Sequence, residues 1–215
     1  AERRLAVLKP LKVVIENFPE GKIEWLPALN NPNSDKQEQR EIPFSREIWI
    51  EEDDFMEEPS KKFFRLAPGK EVRLRYAFFV TCNAVIKDED GEIVELRCSY
   101  DPETRGGNAP DGRKVKGTIH WVSAEHAKDA EVRIYNSFYN TPSPGRERDF
   151  IEDINPNSLE VLKNCKIEPD LITLDDNVPI QFERLGYFYK DPDTTPEKHI
   201  YNRTISLRDT WNKKL

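Results

Sequence analysis

Cysteine is scarce in this chain: only Cys82, Cys98 and Cys165 occur in 215 residues, and none sits in a CxxC spacing. An odd, unclustered set excludes a disulfide framework and argues against a zinc site. Histidine is equally scarce. His120, His126 and His199 form neither HxxxH nor HExxH, so a metal centre has no support in the sequence. There is no GxSxG nucleophile elbow and no glycine-rich phosphate loop. No run reaches the roughly 18 apolar residues that a membrane-spanning helix needs. The opening Ala1-Glu-Arg-Arg-Leu-Ala-Val7 has no apolar signal core. Net positive charge is also missing, at −7. Carboxylates abound, but no motif pairs them, so the residues themselves point to no catalytic centre.

What is present is a chain 37% hydrophobic and 34% charged, with sixteen prolines and nine glycines. That composition suits a wet-surfaced cytoplasmic protein of small β-barrels better than one thick core. Cys82 and Cys98 lie in apolar, strand-like surroundings and read as buried thiols. Strand signals dominate. Leu11–Phe18, Lys22–Leu26, Glu47–Glu51, Val72–Val80, Glu92–Tyr100, Thr118–Val122, Glu131–Tyr135, Pro179–Tyr189 and Ile200–Leu207 are β-branched, aromatic or alternating. Asp88-Glu-Asp-Gly91 reads as a hairpin turn. Short helices are expected only at Asp53–Lys62 and Ser123–Lys128, and Ser158–Cys165 leans to strand. Pro27–Pro43, Asp101–Arg113 and Thr141–Arg148 read as long loops. Many short strands with turns at about ten-residue spacing predict a mainly β fold of barrels or a sandwich.

Charge is unevenly placed. Lys61, Lys62, Arg65, Lys70, Arg73 and Arg75 face one anion, Glu71, so the window 61–75 is +5 inside a chain of −7. Arg113, Lys114 and Lys116 form a second basic island, while acidic runs such as Glu51-Glu-Asp-Asp54 are expected to lie elsewhere. A negative body with basic islands admits phosphate only at defined places. A solvated charged face is the plainer alternative for either island.

The most distinctive stretch is Asp111-Gly-Arg-Lys-Val-Lys-Gly-Thr-Ile-His-Trp-Val-Ser123. It is echoed by Tyr201-Asn-Arg-Thr-Ile-Ser-Leu-Arg-Asp-Thr-Trp211 and joined by Gln181-Phe-Glu-Arg184 with Gly186-Tyr-Phe188. In combination these resemble the C-terminal anticodon-binding region of the class I glutaminyl-tRNA synthetases, over nearly the whole chain. The resemblance implies two small β-barrels, distantly like a ribosomal 5S-RNA-binding protein, with few short helices. The implied partition is a proximal barrel from 1–52 plus 134–215 and an inserted distal barrel from 53–133. It also implies that the catalytic domain, with its HIGH-like and KMSKS-like motifs and its use of ATP with Mg, is absent from this chain. No catalytic residue and no cofactor are then expected here. The implied partners are the anticodon stem-loop of tRNA(Gln) and the catalytic domain of the same polypeptide; a monomer away from membranes is expected.

Single-stranded bases are read by splaying them apart and bonding their edges, while cations hold phosphates. The resemblance carries such roles to particular residues. Arg3 matches an arginine before the first barrel, and Asn33 a loop asparagine near the same site. Gln181, Glu183 and Arg184 match the Gln-Phe-Glu-Arg segment of the anticodon site. Arg65 matches the arginine that reads the third base, and Arg73 and Arg75 match arginines around the first base and its phosphate. Lys62 belongs to the same region. Where bacterial relatives often carry Gln and Lys, this chain has Lys62 and Phe64, and Phe64 offers stacking or core packing instead of charge. Strand alternation predicts Arg73 and Arg75 on one face, Gln181 and Glu183 on one face, and Phe182 and Arg184 on the other.

Plainer readings stand beside these. Arg3 could be an ordinary terminal residue, Gln181 an ordinary strand residue, and Arg184 and Arg208 structural ion-pair partners. His120 reads as a hydrogen-bonded structural histidine, and Trp49, Trp121 and Trp211 read as core. Three other functions remain open: the anticodon region of an archaeal or eukaryotic type of glutamyl-tRNA synthetase, a carbohydrate- or protein-binding β module, and a free-standing ribosomal RNA-binding protein.

Overall fold

The computed structural model describes residues 1–207. Arg208 and Trp211, and with them the end of the second motif, lie outside the described residues. Sixteen strands are described: β1 (Glu2–Arg4), β2 (Ala6–Val7), β3 (Pro10–Ile15), β4 (Glu24–Leu29), β5 (Gln39–Phe44), β6 (Glu47–Glu51), β7 (Glu71–Leu74), β8 (Phe79–Lys87), β9 (Ile93–Asp101), β10 (Thr118–Ile119), β11 (Trp121–Ser123), β12 (Lys128–Tyr135), β13 (Leu159–Ile167), β14 (Ile180–Phe182), β15 (Gly186–Lys190) and β16 (His199–Ser206). They form two seven-stranded, barrel-like sheets and one hairpin. The first sheet runs β1-β14-β15-β16-β12-β13-β2, the second β10-β7-β8-β9-β3-β6-β11, and β4 pairs with β5. The mainly β architecture expected from the sequence is what the chain adopts.

Alternation explains most strands. In β6, Ile48 and Ile50 are fully buried beneath half-exposed Glu47 and Trp49. In β7, Val72 and Leu74 are buried while Glu71 and Arg73 are not. Two apolar cores result, one beneath each sheet. The larger gathers Phe18, Phe44, Phe78 and Trp121; Phe44 meets Trp121 edge-on at 5.0 Å. The smaller is built on Phe182 stacked at 4.1 Å on Phe188, with Tyr201 beside them. His120 and Trp121 are buried as expected, and all three cysteines are buried free thiols.

Several expectations need correction. Two strands of 10–51 do not follow the implied partition: β3 pairs with β9 and β6 with β11, so both belong to the sheet built from 71–123, while β4 and β5 pair with each other. Pro27–Pro43 is not one loop. Its ends are β4 and β5, whose register puts Pro27 opposite Glu41 and Pro43 opposite Trp25. A two-stranded sheet has only edge strands, where a missing N–H is tolerated. Asp53–Lys62 holds only a 3-10 turn, Glu52–Asp54, before Pro59. Ser123–Lys128 is a turn between β11 and β12. Val72–Val80 and Pro179–Tyr189, each expected as one strand, are hairpins folded at Tyr76 (φ 64°) and Arg184 (φ 68°). Alternation therefore ends at Leu74 and at Phe182, and the face assignments for Arg75, Glu183 and Arg184 do not extend to them.

Candidate nucleic-acid interface

On the outer side of the first sheet, register aligns three side chains. Arg3 of β1 pairs with Gln181 of β14, which pairs with Tyr187 of β15. Ile205 of β16 continues the row. Ile180 and Phe182 enter the core, so Gln181 between them projects outward. Arg3 and Gln181 make no side-chain hydrogen bond or ion pair among the described residues. The Arg3 amide donates to Asn30 O at 2.7 Å, which sets the loop carrying Asn33 beside β1. That loop is braced by the Asn33 amide donating to Asn31 Oδ1 at 3.1 Å.

Where the two sheets meet, the two cores remain separate clusters, with Leu5 and Val7 entering the larger one, and buried polar groups lie along the seam. Glu183 is 4% exposed. It accepts a short hydrogen bond from the Tyr76 hydroxyl and lies 3.2 Å from Arg75 Nε. Burial, and then the bond to Glu183, raises the Tyr76 phenol above its ordinary pKa. Arg184 forks onto Asp54, Nη1 to Oδ2 at 2.6 Å and Nη2 to Oδ1 at 2.8 Å, and Asp54 is 1% exposed. The same carboxylate lies 3.3 Å from Arg65 Nε, and Arg65 Nη1 donates to Asp53 O at 3.0 Å. Arg184 Nη1 also lies 3.0 Å from His120 Nδ1. A guanidinium only donates, so Nδ1 accepts and the imidazole proton sits on Nε2, 3.3 Å from Glu51 Oε1. Glu51 in turn accepts from the Leu8 and Lys9 amides.

A second buried pair lies on the same seam. Arg40 of β5 grips Glu168, which also accepts from the Leu5 amide at 2.9 Å. Burial works against the charge of Arg40, but Glu168 more than offsets it and the guanidinium is held above its ordinary value.

Arg73 stands on the far side of Arg75. Its guanidinium is over the Phe79 ring at 5.5 Å, and its Nε is buried without a hydrogen-bond partner. Gly107 lets it lie there, since a Cβ at that position would come 2.9 Å from Arg73 Cδ. With Asn108, Gly112, Arg113 and Lys114 it lines a cavity of about 300 Å³. Arg113 is anchored by Glu71, Asp101 and Asp111, which hold its guanidinium above the usual range. Lys62 is exposed on a turn, three residues before Arg65. Phe64 is 49% exposed with Lys116 Nζ 4.8 Å over its ring, so it is a surface aromatic and not core. Gly117 permits this approach, because a Cβ there would fall 1.9 Å from Phe64 O.

The predicted residues thus divide. Arg65 and Arg184 share Asp54, and Arg75 pairs with Glu183, so the seam holds two clusters joined at the adjacent residues Glu183 and Arg184. Gln181 leads into it two residues before Glu183, and Arg73 two residues before Arg75. Arg3 joins through Gln181. Asn33 and Lys62 make no side-chain contact with either cluster among the described residues. Sequence reasoning missed Asp54, Glu51 and Tyr76. The acidic run 51–54 was expected away from the cations, yet Asp54 is buried between Arg65 and Arg184, and Glu51 is buried against His120. The available signal was an acid next to an apolar residue, in Ile50-Glu51 and Asp54-Phe55.

The chain matches two family models, each described as the anticodon-binding domain of class I tRNA synthetases (E and Q), over residues 1–101 and 118–191. It is 59% identical over all 215 residues to a glutamine–tRNA ligase of Bradyrhizobium diazoefficiens. It is 56% identical over 213 residues to those of Nitrobacter winogradskyi and Nitrobacter hamburgensis. In each case it spans 38% of the relative's length.

Proposed function

Since the chain belongs to the anticodon-binding family of class I tRNA synthetases (E and Q), we propose that it is the part of a cytoplasmic, monomeric glutamine–tRNA ligase that holds the anticodon loop of tRNA(Gln). Joining glutamine to that tRNA, with ATP and Mg, would be the work of the portion of the relatives that this chain does not span. Correct engagement of the loop would couple to that distant chemistry as a difference in binding energy between two sites.

The observation that carries the reading is the row Arg3–Gln181–Tyr187 beside the seam. An amide offers both a donor and an acceptor, enough to read a pyrimidine edge. An arginine beside it holds phosphate or a second edge, and an aromatic gives a stacking surface. Arg73 at its cavity wall and exposed Lys62 supply further cations. The overall charge of −7 then disfavours RNA elsewhere on the surface. The glutamine assignment, over the glutamyl alternative that shares the family, rests on the relatives above.

The test is a titration against an RNA stem-loop with the glutamine anticodon, beside loops altered at one base. The cognate loop should bind at least about tenfold more tightly, consistent with about 1–3 kcal/mol per base contact. Arg65→Ala should weaken the cognate loop more than a loop altered at the third base. Equal affinity for all loops would overturn the reading.

A further inference from the structure

Arg65 lies on the bend that precedes β7 and Arg184 on the β14–β15 turn of the other sheet, yet one carboxylate serves both. Asp54 Oδ1 is 2.8 Å from Arg184 Nη2 and 3.3 Å from Arg65 Nε. The backbone fixes the spacing further: Leu66 N donates to Asp54 O at 3.0 Å, and Met56 N to Leu66 O at 3.1 Å. The segment that carries Arg65 is therefore zipped to the segment that carries Asp54. With Nε turned to Asp54 and Nη1 to Asp53 O, the planar fork of Arg65 is oriented in the protein, and Nη2, without a partner among the described residues, remains for a ligand. Asp54 is itself held, because Arg184 is braced from behind by His120, and His120 by Glu51, which the Leu8 and Lys9 amides hold in turn.

We propose that Asp54 is a positioning residue: it aims the Arg65 guanidinium at the RNA and ties that aim to the Arg184 turn of the other sheet. This rests on the reading of Arg65 as a base-reading residue given above. Asp54 touches no RNA. It acts by selecting one direction of a long, flexible side chain, so that the ordering entropy of Arg65 is spent before RNA arrives. It also makes the setting of one sheet against the other part of base selection, since a shift of the Arg184 turn would carry the carboxylate with it.

The experiment is a double-mutant cycle on the chain, with Asp54→Asn, Arg65→Ala and both together. The readout is the ratio of affinities for the glutamine-anticodon stem-loop and the same loop altered at the third base. Asp54→Asn should lower the ratio about fivefold, and in the Arg65→Ala background it should change it less than about twofold. An equal fall in both backgrounds would mean that Asp54 acts through general folding, and would overturn the proposal. So would an unchanged ratio in Asp54→Asn when Arg65→Ala lowers it. If Arg65→Ala leaves the ratio unchanged, the base-reading assignment fails first and this proposal with it. Asp54→Glu guards against simple unfolding: it keeps the charge but moves it by one methylene. It should lower the ratio while the salt dependence of binding stays that of the parent; a ratio equal to the parent's would show that only the charge matters and would also overturn positioning.

Discussion

At the seam, Arg65, Arg75 and Arg184 each face a buried carboxylate, whereas on the outer row Arg3 and Gln181 face no partner among the described residues. The same kinds of side chain are thus in opposite states of engagement a few residues apart. The seam groups are costly to leave unpaired, because Asp54 and Glu183 are almost fully withdrawn from water. The outer groups cost nothing to leave unpaired, because water serves them. Loss of a buried seam carboxylate should therefore read first as stability, and mutation on the row mainly as RNA affinity. The buried carboxylates of the seam contribute to recognition by orientation, and Arg65 and the row by direct contact.

The largest effect expected is on folding. Asp54→Ala leaves Arg184 and Arg65 without their shared carboxylate, and should cost about 3 kcal/mol in urea unfolding. Arg184 is only partly buried, so water offsets some of the loss. Gln181→Ala in the same assay should stay within about 0.5 kcal/mol. If the two losses are similar, the division between seam and row is wrong. The next effect is on binding. Gln181→Ala should weaken the cognate stem-loop by about 1–3 kcal/mol, and weaken a loop altered at the contacted base much less. A uniform loss across loops would move Gln181 from base reading to general support.

Much of this was legible in the sequence, and the failures have physical causes. Strands with clear alternation, such as Glu47–Glu51, came through because one buried face leaves a period-2 trace. The β4–β5 hairpin did not, because its prolines imitate a loop. The hairpins at Tyr76 and Arg184 were hidden because bulky residues occupy turns where glycine or asparagine is the usual signal. Their left-handed backbone costs on the order of 1–3 kcal/mol each and persists because Glu183 and Asp54 hold the two side chains. The candidate site residues were put forward by motif. Their carboxylate partners were not, because Asp54–Arg184 spans 130 residues and no local pattern encodes such a pair.

A smaller effect would sharpen the comparison by pH. The Tyr76 hydroxyl donates a hydrogen bond to Glu183, and its pKa is raised, first by burial. A raised phenol favours the neutral folded form. Its contribution is complete below the unfolded tyrosine value of about 10 and is lost as pH rises through the higher folded value. Tyr76→Phe should cost about 1 kcal/mol at pH 7, from the lost hydrogen bond to Glu183. Its unfolding curve should also decline less steeply than the parent's above pH 10. A parent and variant that run parallel through pH 10–11 would show that this phenol is not coupled to the seam.

The smallest effect concerns Lys62, which is exposed and makes no ion pair among the described residues. If it meets phosphate, it does so as a point charge, displacing about one counterion and reading no base. Lys62→Ala should leave urea unfolding unchanged within about 0.5 kcal/mol. It should reduce the slope of log affinity against log salt by about 1. Between 50 and 200 mM salt that slope is worth about fourfold in affinity, and it should apply equally to the cognate and altered loops. The equality is the informative part. Arg65 is three residues away and oriented by Asp54, so its removal should be felt unequally across loops. If Lys62→Ala also discriminates among loops, a free side chain on a turn would be reading bases as well as a braced one. Orientation by the seam would then not be what separates reading from holding.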